Sequence, residues 1–331
     1  MGRPACGLLF AVATVMLVVG ALYAESRGVY ITPAPGKEGG LSGETKIYNH
    51  SYAVVIGIDA YIKLPQLGGA VRDARSVQKV LIAQGFEVQC LIDRKATRQA
   101  IASLLGDRLR NSVELEDRVL VFFAGHGVST GDGETAMGYL MPVEGDKDSP
   151  VATGISMSEL QNWFSAYKAR HVMFVADACY SGLALSTRAA GLSAATRNYL
   201  RRIVEKPVRL TLVAGGAGEE ANEWRGQGLF TQYLIEAIEG AADFNEDGII
   251  TSDEIASYVK PEVSRVALSE FNVEQHPQVG RRGEGEFIFI NPDFPEGGRN
   301  EKPARNDNSK IGEKPGVPTS ADIKPVTMGT A

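Results

Sequence analysis

His171-Val-Met-Phe-Val-Ala-Asp-Ala-Cys-Tyr-Ser-Gly182 is the stretch on which the reading of this chain turns. Val172 to Val175 form a short apolar run with no polar face, the pattern of a strand buried on both sides in a parallel sheet. Small residues follow Cys179, so the chain turns sharply there. The thiol is left at the carboxyl end of a central strand, where open α/β sheets place their ligand crevices. Residues two apart on a strand share a face, which sends Asp177 and Cys179 into one cleft. A second apolar run, Val119 to Phe123 in D-R-V-L-V-F-F-A-G-H-G, is followed by His126. Adjacent parallel strands leading to His126 and to Cys179 bring an imidazole and a thiol together across the mouth of the sheet, a base beside a nucleophile. A lone cysteine or histidine is more often structural. Two of them at strand ends, each closely followed by glycine, point to chemistry.

These residues resemble the caspase-like cysteine peptidases, and within them the metacaspase and bacterial caspase-domain branch. Asp177-Ala-Cys179-Tyr-Ser181-Gly182 fits that branch's D-x-C-x-S-G setting, and Ala124-Gly-His126-Gly127 fits the histidine motif. Tyr52-Ala-Val-Val-Ile-Gly-Ile58 and Gly68-Gly-Ala-Val-Arg-Asp-Ala74 are similar to the family's first strand and helix. In caspases the histidine lies roughly 50 residues before the cysteine; here the separation is 53 positions. True caspases carry Gln-Ala-Cys-Arg-Gly at this place, and its absence argues against cleavage after aspartate. The resemblance to metacaspases implies that Asp177, with Asp73 of the first helix, lines the pocket for the residue before the cut, and that this residue is Arg or Lys. Read by itself, Asp73 is a helix-start carboxylate favoured by the macrodipole. Asp177, at the end of a buried strand, must be paired or face the cleft, and a basic substrate side chain would pair it. The family usually has serine two before the histidine. Ala124 stands here, which removes a hydrogen bond from the pocket and weakens the expected selectivity.

The 331 residues can bury a full core, yet both ends look unlike folded protein, leaving room for one domain. A net charge of −6 offers no basic field, and no arginine stripe alternates with aromatics, so nucleic acid is excluded as a partner. Residues 1–24 read as a signal peptide or N-terminal anchor: Arg3 precedes an uncharged segment over 7–24. Ala21 and Ala24 offer cleavage points. The segment also approaches the roughly 17–25 residues that span a bilayer, so an uncleaved anchor is the alternative. The domain is expected to be exported, periplasmic or secreted, and at a membrane only if this segment stays. Cys6 would leave with the signal, and Cys90 and Cys179 are too few for a disulfide framework.

Residues 25–47, rich in Gly, Pro and small polar residues, read as a linker. The peptidase domain is expected over 48–290. Tyr52–Ile58, Phe86–Ile92, Asp117–Phe123, Val172–Val175 and Val208–Ala214 read as strands, with Glu286–Ile290 as a last strand. Helices are expected through Val71, Ala74, Val77 and Leu81, over Thr97–Arg110, from Ser156 with a capping-box Glu159, over Leu229–Ala241 and over Ser252–Leu268. Alternating strands and helices predict an α/β fold, a three-layer sandwich about a mostly parallel central sheet, the caspase-like fold. Between them, the Gly- and Asp-rich stretch 129–153 reads as a loop with a small hairpin at Gly138-Tyr-Leu-Met-Pro142. Gly215-Gly-Ala-Gly218 lacks the spacing of a dinucleotide fingerprint and reads as a loop near the cleft. Residues 291–331, dominated by Pro, Lys, Asn and Gly, read as a disordered tail.

A thiol near its ordinary pKa is mostly protonated at neutral pH, so Cys179 needs His126 to take its proton. The charge gained by the substrate carbonyl falls to the backbone N–H groups of Gly127 and Cys179. The chemistry itself needs no cofactor. An independent motif lies at 243–254: Asp243, Asn245, Asp247, Thr251 and Glu254 occupy oxygen-donor positions of an EF-hand loop, Ile249 offers its carbonyl, and Gly248 takes the tight turn. Calcium is the expected ligand. The four histidines show no zinc-ligand spacing. The expected function is an exported cysteine endopeptidase acting on proteins or peptides. Its rival is a catalytically silent caspase-like scaffold that binds peptides or partner proteins through the same cleft. A serine hydrolase using Ser181 fails for want of a nucleophile elbow. Arg188 and Arg197 are candidate points of self-processing.

Overall fold

Every residue of Arg118–Ala124 and of His171–Asp177 is buried, as strands covered on both faces must be. The computed structural model describes residues 28–31, 45–131, 136–178, 203–216, 219, 221–224, 226–293 and 298–300. Within them the strands are β1 (Val29–Ile31), β2 (Thr45–Tyr48), β3 (Ser51–Gly57), β4 (Glu87–Ile92), β5 (Arg118–Ala124), β6 (Gly127–Thr130), β7 (Met137–Leu140) and β8 (Ile155–Ser156). They continue as β9 (His171–Asp177), β10 (Val208–Val213), β11 (Glu223–Trp224), β12 (Gln227–Gly228), β13 (Ile249–Thr251), β14 (Gln278–Gly283), β15 (Ile288–Ile290) and β16 (Gly298–Asn300). The helices are α1 (Ala70–Ala83), α2 (Arg98–Ala102, continuing in wider turns to Ser112), α3 (Pro150–Thr153), α4 (Met157–Ser165), α5 (Leu229–Glu236) and α6 (Ser252–Val266).

Six strands form the central sheet in the order β14-β10-β9-β5-β3-β4, parallel except for β14. Strand alternation sends Leu120, Phe122, Met173 and Val175 to one face, under α1, α5 and α6. Val121, Phe123, Val172 and Phe174 face the other way, under α2, α4 and the β6–β7 hairpin. This is the α/β three-layer sandwich with a mostly parallel sheet. α1 lies so close to β3 that a Cβ on Gly57 would come within 2.5 Å of the Ala74 methyl carbon. With glycine at its N-cap, the helix takes its cap from a distance: Asp59 Oδ1 accepts the Ala70 N–H at 2.9 Å.

Several expectations are corrected. The stretch 25–47 is not a bare linker, because Val29 and Ile31 are buried in β1, which pairs with β2 on one side and β16 on the other. β1 packs into an apolar cluster with Ile47, Tyr48, Ile203, Val204, Ile249, Ile288 and Ile290, giving three residues enough burial to be fixed. By the same pairing, Gly298–Asn300 in the presumed tail belongs to the fold. Ile288–Ile290 pairs with β13 rather than extending the main sheet. The edge strand beside β10 is β14, whose Gly-Arg-Arg-Gly sequence carries no apolar alternation. At α4, Ser156 accepts the Glu159 N–H, but the Glu159 carboxylate pairs with Arg98 instead of returning to the cap. The signal or anchor at 1–24, the candidate cleavage points Arg188 and Arg197, and residues 301–331 lie outside the described residues. No helix among those described is long and apolar enough to cross a membrane.

The end of the sheet where the strands begin is built from buried polar groups. Arg118 is fully buried, its guanidinium 4.2 Å from the Phe86 ring centre and 4.8 Å from that of Tyr48. It donates to Ser51 Oγ and to the carbonyls of Gln84 and Ile288. The Tyr48 hydroxyl donates to His171 Nδ1 at 2.6 Å, while Nε2, carrying the proton, donates to the Lys206 carbonyl at 3.0 Å. Burial holds His171 neutral and pushes its pKa down to about 3. An unfolded histidine titrates near 6.5, so between that pH and about 3 the unfolded chain binds the extra proton. Stability conferred by neutral His171 is complete above pH 6.5 and is lost on acidification, by up to about 1.4 kcal/mol for each pH unit. Denaturant melts from pH 7 to 4 should show this slope, and His171→Gln should flatten it.

Candidate active site

β5 and β9 run parallel in a register that sets Ala124 beside Asp177. His126 and Cys179 each follow two residues beyond that pair. Cys179 and Ser181 lie outside the described residues; Ala178, which precedes the cysteine, is buried. His126 is gripped by the loop that follows β3. Its Nε2 is 2.8 Å from the Pro65 carbonyl, an acceptor only, so Nε2 carries the proton and Nδ1 is the nitrogen left to receive one. Its backbone N–H donates to the Tyr61 hydroxyl at 2.8 Å, and that hydroxyl donates onward to the Met141 carbonyl at 3.1 Å. The Tyr61 ring lies 4.8 Å from the imidazole, centre to centre. Gly125 is needed for this approach, since a Cβ there would sit 2.4 Å from the Tyr61 oxygen. Gly127, the expected oxyanion donor, is half-buried at the start of β6. Pro65 and Tyr61 were not legible as site residues, because a loop of this kind carries no periodicity.

Asp177 continues the face of Met173 and Val175, so it turns toward α1 and α5. Asp73 projects there from the first turn of α1. Both carboxylates are buried. They meet around Gly228: its N–H lies 3.1 Å from each Asp73 oxygen, and a Cβ on it would fall 2.3 Å from Asp177 Oδ2. Thr231 adds its hydroxyl to Asp177 Oδ2 at 2.5 Å. Two acidic side chains separated by about a hundred residues of sequence thus meet at the start of α5, beside the carboxyl end of β9. The like charges are offset in part by donors of a helix N-terminus.

The loop 243–254 is curled upon itself. Asp243 accepts the N–H groups of Asp247 and Gly248 and the Asn291 amide, Asn245 accepts Asp247 N–H, and Asp247 accepts Ile249 N–H. Gly248 has φ +81°, which explains the glycine at that position. Glu254 folds back on the Thr251 N–H and hydroxyl in a reciprocal cap of α6, and Asn245 Nδ2 lies 3.3 Å from its other oxygen. Burial, with Asp247 and Asp243 nearby, pushes Glu254 up to about 7. The donor set is oxygen throughout, which fits a hard divalent cation. Elsewhere among the described residues, Glu219, Glu274 and His276 offer ligand atoms within 4.8 Å of one another, a grouping that sequence spacing did not announce. The Glu219 carboxylate accepts from the His276 ring at 2.6 Å.

Two solved structures illustrate the matches to this chain. A structural-genomics protein of Geobacter sulfurreducens is 16% identical over 74% of this chain and 96% of its own, with a TM-score of 0.48. Caspase-1 of Spodoptera frugiperda is 17% identical over 69% of this chain and 85% of its own, with a TM-score of 0.45. No curated protein matches the sequence. The family model of the caspase domain, peptidase C14, matches residues 50–287, so this chain belongs to the caspase domain family of cysteine peptidases.

Proposed function

We propose that this chain is an exported cysteine endopeptidase that cleaves proteins or peptides after Arg or Lys. The observation that carries this reading is the pairing of Ala124 with Asp177, which brings the approaches to His126 and Cys179 to the same carboxyl end of the sheet. Nδ1 of His126 takes the proton of the Cys179 thiol, and the thiolate attacks the carbonyl carbon before the scissile bond. The N–H groups of Gly127 and Cys179 receive the oxyanion. The histidine then protonates the leaving amine, and water releases the acyl group. Asp73 and Asp177 hold the cation of the preceding side chain. Export rests on the apolar segment 7–24, which as an uncleaved anchor would instead keep the domain at a membrane. The test is hydrolysis of Arg-, Lys- and Asp-ending fluorogenic peptides by the purified chain. Preference for the Asp-ending peptide would overturn the pocket assignment, and binding of peptides without turnover would favour the scaffold reading.

The same proposal includes a calcium ion held by Asp243, Asn245, Asp247, the Ile249 carbonyl, Thr251 and Glu254. When bound, the ion supplies positive charge that offsets three carboxylates in one loop. Asn291, whose N–H donates to the Gly248 carbonyl at 3.0 Å and whose amide donates to Asp243, ties the loop to the end of β15. A cation that binds only the folded state raises the melting temperature by mass action. Millimolar calcium is expected to raise it for wild type and to do so much less for Glu254→Gln, with magnesium and chelator as controls. Equal melting temperatures for wild type in calcium and in chelator would make the loop an ordinary acidic turn.

A further inference from the structure

We propose that the first turn of α5, through Gly228 and Thr231, is the wall that gives the Asp73–Asp177 pocket its selectivity for a cationic side chain; this rests on the peptidase reading above. Gly228 has φ −57° and ψ 128°, values open to any residue, so the backbone does not demand glycine there. Space does. A Cβ would lie 2.3 Å from Asp177 Oδ2 and 2.9 Å from Asp73 Oδ2, so a side chain would push the two carboxylates out of their common position. Gly228 also carries no side chain to cap α5, and the helix takes its cap from the pocket instead. Asp73 accepts the Gly228 N–H, and Asp177 Oδ2 accepts the N–H of Thr231, the third helical residue, at 3.2 Å. The Thr231 hydroxyl, fully buried, accompanies that amide.

This arrangement bears on Ala124. The hydroxyl that β5 lacks beside Asp177 is supplied to Asp177 from the helix side by Thr231. Thr231 is a positioning residue: it acts on substrate only through Asp177. A guanidinium or ammonium group approaching this pair is attracted by both carboxylates, whereas an uncharged side chain gains no such attraction. A purely structural role, as a remote cap of α5, predicts that removing the Thr231 hydroxyl lowers stability without altering which peptides are cut.

The test uses the full chain with Arg-, Lys- and Leu-ending fluorogenic peptides, on wild type, Thr231→Val, Thr231→Ser and Gly228→Ala. Losing a hydrogen bond to a carboxylate should raise KM for the Arg and Lys peptides roughly tenfold in Thr231→Val, with little change in kcat. The Leu peptide should be unaffected, so the basic-over-Leu ratio falls, and Thr231→Ser should restore it. Gly228→Ala should reduce that ratio further. If Gly228→Ala does not fold, the Val and Ser pair decides. A wild type that prefers basic peptides, beside Thr231→Val with the same ratio, would overturn the wall and leave the peptidase reading standing. A wild type that cuts none of the peptides would remove both.

Discussion

Cys179→Ala and His126→Ala are each expected to lower kcat/KM on an Arg-ending peptide by at least about a thousandfold, with the double variant no worse than either alone. The reason is that nucleophile and base act as one unit. Without the thiol there is no atom to form the acyl bond, and without Nδ1 the thiol keeps its proton at neutral pH. Once either is gone, the other has nothing left to contribute. His126 is partly exposed and held by the Pro65 carbonyl and the Tyr61 hydroxyl, so truncating it should leave circular dichroism and melting close to wild type. Turnover by purified Cys179→Ala at the wild-type rate would sink the mechanism.

Arg118→Ala is expected to be the most damaging change away from the site, at roughly 3–5 kcal/mol of folding stability. The guanidinium is fully buried, and no carboxylate among the described residues pairs with it. Burial pulls its pKa down to about 10, so it remains charged at neutral pH. What offsets the desolvation is the set of aromatic faces of Tyr48, Phe86, Phe287 and Phe289, together with the carbonyls of Gln84 and Ile288. Alanine would open a cavity among those rings and leave two buried carbonyls without this donor. Arg118→Lys should recover little, because an ammonium lacks the planar fork that stacks and donates in several directions. Urea denaturation of the three proteins measures this, and a loss below about 1 kcal/mol for Arg118→Ala would contradict the account.

Much of the frame was legible because burial leaves a local trace. β5 and β9 are apolar at every interior position, and that pattern made a covered parallel sheet legible, with His126 just beyond the end of β5. The first helix was legible from Ala74, Val77 and Leu81, although Val71 lies at its margin and Val80 is buried instead. What escaped was determined by partners far away in sequence. β1 has only three residues and no period to detect, and it is a strand because residues near both ends of the chain flank it. β14 carries two arginines and two glycines at its end, a poor strand by composition, yet β10 gives it an antiparallel partner. Gly228 and Thr231 looked like the start of an ordinary amphipathic helix. Only the arrival of Asp73 and Asp177 from elsewhere gives them a role.

The placement of β1 between β2 and β16 also orders events in time. Its second neighbour, β16, is made roughly 270 residues after β1 itself, so this small sheet closes late. The entropic cost of closing so long a loop rises only with the logarithm of its length. The delay is therefore kinetic. Until residues 298–300 arrive, one edge of β1 stands unpaired, open to another chain or to a chaperone.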